Sequence, residues 1–139
     1  MSKEPRIITA KDAIEALRHV VARKGPDFVY EKPIGATGCN YVDPNDKKTP
    51  SCGVGQALII DFKVKPAVFF QKAYFGNLLN GLGVGSVMSS FSNPEDIEPG
   101  VRISEAACRV FGTFQNRQDS GSPYATALQH AEEVYATLK

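Results

Sequence analysis

The stretch TAKDAIEALRHVVARKGP, residues 9–26, carries the signals of one helix together with both of its ends. Thr9 can accept a hydrogen bond from a first-turn amide, and Asp12 can reach back to the backbone of Thr9, which makes a capping box. Gly25 and Pro26 end the helical pattern. Apolar residues follow helical spacing at Ala10, Ala13, Ile14, Leu17, Val20 and Val21. The stretch therefore predicts an amphipathic helix that packs on a core.

Further helices are predicted along the rest of the chain. One begins near Ser51, and Pro66 is suited to the first position of the next, which would run through the apolar segment 68–79. Ser104 can cap a helix that carries Ala107, Val110, Phe111 and Phe114 on one face. A last helix follows Pro123, and its apolar stripe is Tyr124, Leu128, Ala131, Tyr135 and Leu138.

The region between the first two helices has a different pattern. Residues 28–30 and 39–42 are short runs rich in aromatic and β-branched residues, and a glycine-containing loop at 33–38 joins them. This pattern predicts a small β-hairpin. Residues 43–50 form a polar loop bounded by prolines. Segment 81–100 favours no single structure, and residues 101–103 can add an extended piece.

The predicted fold class is α+β and predominantly helical, with four to five helices and one small antiparallel β-hairpin. A chain of 139 residues with 42% apolar and 22% charged residues is the size and composition of one globular domain. We expect a single domain over residues 1–139, with residues 1–8 flexible.

Charge and hydropathy bear on partners and location. The net charge is +1 and no block of like charge occurs, so a nucleic-acid partner is not expected. The N-terminus lacks the apolar stretch of a signal peptide, and no apolar run approaches the roughly 20 residues of a membrane span. We expect a cytoplasmic protein that binds no membrane.

Cysteine chemistry leaves one alternative open. Cys39, Cys52 and Cys108 are widely spaced and odd in number, which fits neither a disulfide framework nor a structural zinc site. We therefore expect no metal and no cofactor. Cys52 is predicted in the first turn of a helix, where the dipole favours a reactive thiol. The amides of Gly53–Gly55 at the same helix start could hold an anion.

Three segments together resemble a known group of sequences. They are CNYV at 39–42, PSCGVGQAL at 50–58 and QNRQDSGSPYATAL at 115–128. In this order they resemble small uncharacterised proteins of actinobacteria and their tailed phages. The chain departs from the group's pattern at Tyr124-Ala125, where Trp-Gly would be expected. Because the group has no agreed activity, the resemblance implies no catalytic residue.

The resulting functional hypothesis is an accessory protein of a phage or an actinobacterium that binds a host or partner protein and is not an enzyme. The contact is predicted on the segment from Pro33 to Thr49, which holds the apolar residue Ile34 and the charged residues Lys47 and Lys48. The alternatives are a small enzyme or ligand-binding domain that uses Cys52 and Gly53–Gly55, and a nucleic-acid-binding regulator.

Overall fold

The computed structural model describes residues 6–30, 42, 43, 45, 46, 48–65, 95–98 and 101–138. Helices predominate in this part of the chain. Helix α1 is Ala10–Lys24, helix α2 is Gly53–Gln56 and continues as a π-helical turn at Ala57–Asp61, helix α3 is Glu105–Asp119, and helix α4 is Tyr124–Thr137. The strands are β1 at Arg6–Ile8, β2 at Glu95–Glu98 and β3 at Val101–Ile103.

Helix α1 begins and ends where its sequence signals predict. The Asp12 amide donates to Thr9 Oγ1 over 3.1 Å, and the Thr9 amide donates to Asp12 Oδ2 over 3.0 Å. Gly25 follows the helix with a φ of 99°, which a residue with a Cβ rarely adopts. The predicted apolar face of this helix is buried from Ala13 to Val21.

Helices α1, α3 and α4 pack against one another around the core. Ser104 Oγ accepts a hydrogen bond from the Ala107 amide over 3.1 Å, as its capping role predicts. Phe111 and Phe114 of α3 are fully buried. The stripe of α4 is graded in depth, since Tyr124 and Ala131 are fully buried while Leu128, Tyr135 and Leu138 are partly buried.

A three-stranded sheet flanks the helices, in the order β1-β3-β2. Strand β1 runs parallel to β3, with Ile8 opposite Ile103, and β2 runs antiparallel to β3. Residues 6–8 were expected in a flexible end, but they form this strand because Ile8 is fully buried and anchors it.

The β-hairpin predicted at residues 28–42 is not shown. Residues 28–30 form no strand. Instead, the backbone oxygen of Phe28 accepts a hydrogen bond from the Tyr124 amide over 2.8 Å. Val42 pairs with Pro50 in an isolated antiparallel bridge. Residues 39–41, and the helix predicted at 66–79, lie outside the described residues.

Within the described ranges, none of the helices combines the length and the apolar character that crossing a membrane requires.

Candidate functional site

The 42–50 loop is an exposed segment closed at its base. Val42 is fully buried and bridges to Pro50, and the Asp43 amide donates to the Thr49 oxygen over 2.8 Å. By contrast, residues 45, 46, 48 and 49 are exposed. A buried anchor at the base thus holds a solvated tip.

The carboxylate of Asp46 organises the tip of this loop. Its Oδ1 accepts hydrogen bonds from the amides of Lys48 over 2.8 Å and Thr49 over 3.0 Å, and its Oδ2 accepts from the Thr49 hydroxyl. The Thr49 hydroxyl, followed by the two backbone amides, lowers the pKa of Asp46 to about 2. Asp43 Oδ1 accepts in the same way from the Asn45 amide over 2.8 Å. The carboxylates of Asp43 and Asp46 therefore fix the backbone conformation of the described part of the loop.

Of the three residues predicted to contact a partner, the structure describes one. Lys48 is exposed beside Asp46, and its backbone is fixed by the hydrogen bond to that carboxylate. Ile34 and Lys47 lie outside the described residues.

Cys52, the predicted reactive thiol, is fully buried. It is the N-cap of α2, where its Sγ accepts from the Gly55 amide over 3.5 Å and from Gln115 Nε2 over 3.7 Å. Because solvent does not reach the sulfur, a reagent can attack it only after the structure opens locally.

Of the amides that could hold an anion, those of Gly53 and Gly55 donate to acceptors of the protein itself. The Gly53 amide donates to Gln118 Oε1 over 2.8 Å, and the same oxygen accepts the Tyr124 hydroxyl over 2.9 Å. Gln118 is 1% exposed. An anion would have to displace this buried amide oxygen, so the start of α2 is an internal junction between three helices.

Cys108 is a second buried thiol, on α3. Burial, followed by the nearby charge of Glu105, raises the pKa of Cys108 to about 12. At neutral pH this thiol is therefore protonated. Cys39 lies outside the described residues.

Sequence reasoning missed a charged cleft between α1 and the π-helical turn. Asp61 Oδ1 lies 3.3 Å from Arg23 Nη1 and 3.7 Å from His19 Nδ1. Asp12 and Glu15 also line this cleft. The i, i+4 spacing of His19 and Arg23 signals a shared face of α1, but no sequence pattern indicates that Asp61 packs beside it.

Among the residues that the structure describes, no three His, Cys, Asp or Glu side chains are grouped so that they could hold a metal ion. Comparison with protein-family models, with curated proteins and with solved structures gave no match.

Proposed function

We propose that this chain acts by binding a partner protein, as an accessory protein of a phage or an actinobacterium, and that the 42–50 loop lies at the contact. The origin is supported by the resemblance of the segments at 39–42, 50–58 and 115–128. The mode of action is supported by the order of the exposed loop.

The observation that carries the proposal is the set of hydrogen bonds around Asp46. Three donors on one carboxylate fix the conformation of this part of the exposed loop. Fixing an exposed loop before contact lowers the conformational entropy that binding must remove. Binding residues are also concentrated on loops that a rigid scaffold holds in place.

The alternative that uses Cys52 and Gly53–Gly55 receives less support. A nucleophile must be reached by its substrate, and Cys52 is fully buried. An anion site needs free amides, and the Gly53 and Gly55 amides donate to Gln118 and Cys52.

The test is affinity capture from a host lysate with matched charge reversals. Lys47→Glu with Lys48→Glu should reduce the yield of a partner that the parent chain captures. The control is Lys11→Glu with Lys63→Glu, which changes two exposed lysines outside the loop and gives the same net charge. All variants must keep the parent melting temperature. Undiminished capture by the loop variant would contradict the proposal.

A second variant tests whether capture depends on the fixed conformation of the loop as well as on the charges of its lysines. Asp46→Ala removes the acceptors for Lys48 and Thr49 but retains both lysines. Capture should weaken, mainly through faster dissociation, because a disordered loop must be fixed on binding. Ile34→Ser tests the apolar part of the predicted contact by the same assay.

A further inference from the structure

Helix α4 begins without a side-chain cap of its own. Pro123 occupies the N-cap position and makes no side-chain hydrogen bond. The first amides of a helix have no acceptor within it. Here the Tyr124 amide donates to the Phe28 oxygen over 2.8 Å, and the Ala125 amide donates to the Pro26 oxygen over 2.9 Å. Residues 26–30, hereafter the strap, thus supply the cap from a distant part of the chain.

Contacts of the Phe28 and Tyr30 side chains help to hold the strap in place. The Phe28 ring packs edge-on against the Tyr124 ring, with 4.8 Å between centroids. Two residues further on, the Tyr30 hydroxyl and Ser51 Oγ are hydrogen-bonded over 2.8 Å. Ser51 directly follows the 42–50 loop, so one end of the strap is tied to the base of that loop.

We infer that the strap couples the base of the 42–50 loop to the first turn of α4. When Ser51 moves away from Tyr30, the strap loses one of its anchors, two residues from Phe28. The Phe28 and Pro26 oxygens then hold the Tyr124 and Ala125 amides less firmly, and the first turn of α4 opens more often. Through this link, partner contact at the 42–50 loop would change how often the first turn of α4 opens. This role of the coupling rests on the proposed function. The coupling itself belongs to the chain alone.

The test is amide hydrogen exchange, followed by NMR, in two variants that break the same bond from opposite sides. Tyr30→Phe and Ser51→Ala should each speed exchange at Tyr124 and Ala125 by about two- to tenfold, the range that one hydrogen bond gives. The Ala131 amide, in the middle of α4, should keep its rate because the opening is local. Thr113→Ala is the control, since it removes a hydroxyl bond to the Arg109 oxygen within α3.

The double variant Tyr30→Phe with Ser51→Ala should exchange no faster at Tyr124 than either single variant, because both lose one shared bond. Unchanged exchange at Tyr124 and Ala125 would overturn the inference. Equal acceleration at Ala131 would overturn it too, because it would mean global destabilisation. An effect confined to one of the two single variants would show that the Tyr30–Ser51 bond is not the link. Since no partner is present, the result is independent of whether the 42–50 loop binds one.

Discussion

At the scale of single residues, Gly53 shows how closely α2 approaches α3. A Cβ at this position would lie 2.3 Å from Cε1 of Phe114, a distance at which the atoms must move apart. Phe114 is fully buried and packs against Tyr124, so its ring has little room. The absent side chain is therefore what allows the Gly53 amide to reach Gln118.

Gly53→Ala should lower the free energy of unfolding by about 1–3 kcal/mol, the usual cost of overpacking a core. Chemical denaturation measures this loss. In the double variant with Phe114→Leu, the total loss of unfolding free energy should be smaller than the sum of the two single losses. The smaller side chain makes room for the new methyl group. Purely additive losses in the double variant would contradict the predicted clash.

Asp46 gives a prediction for pH. Its pKa is lowered from the usual 3.8 to about 2, first by the Thr49 hydroxyl and then by two amides. A lowered pKa in the folded state means that the charged form stabilises the loop above pH about 4, and that this contribution is lost as the pH falls towards 2. A carboxyl-carbon NMR titration should give a midpoint near 2, and Thr49→Val should raise it. A midpoint near 3.8 in the parent chain would contradict the described loop.

At the scale of elements, local signals predicted the helices well and the strands poorly. The capping box of Thr9 and Asp12 and the cap of Ser104 depend on residues three positions apart, so the sequence alone shows them. The apolar face of α3 is visible for the same reason. Residues 28–30 form no strand, and the Phe28 oxygen accepts instead from the Tyr124 amide of α4, which is distant in the sequence.

In the candidate site, too, local sequence predicted some features, whereas contacts between distant residues could not be predicted. Residues 43–50 were predicted as an exposed polar loop from composition, and the described part of the loop is exposed. Cys52 was predicted in the first turn of a helix, where a reactive thiol is favoured, but it is fully buried. Its contact with Gln115 spans 63 positions, and the bond from Gly53 to Gln118 spans 65. Spacing in a sequence gives no information about such partners.

In helix α4, substitutions at positions of different burial should cost different amounts of stability. Leu128 is partly buried, whereas Ala131 on the same stripe is fully buried. Leu128→Ala should therefore cost about 1–2 kcal/mol, below the range for a fully enclosed leucine. The exposed Gln129→Ala should stay within about 0.5 kcal/mol. Equal losses in both variants, by thermal or chemical denaturation, would contradict the orientation of α4.

At the scale of the whole molecule, α1, α3 and α4 enclose a core with Ile8, Leu17, Phe111 and Tyr124 fully buried. In the described ranges, Gln115 Nε2 donates to Cys52 Sγ inside that core, and Gln118 Oε1 accepts from the Gly53 amide and the Tyr124 hydroxyl. Because the three cysteines are too widely spaced in the sequence for a closed zinc site, we expect no metal in this fold.

Thermal melts with and without a strong chelator should therefore coincide. Metal that is part of a fold contributes its binding free energy to folding, so its removal lowers the melting temperature. A fall of many degrees with the chelator would show that a metal ion is part of this fold.

We propose that the 42–50 loop is the surface that meets a partner. Its most direct test is amide hydrogen exchange of the chain alone and in complex with a purified partner, once capture has identified one. We predict slower exchange within residues 42–50 in the complex than in the free chain. Protection that falls instead on the α1 cleft near His19 and Asp61, with residues 42–50 unchanged, would contradict it.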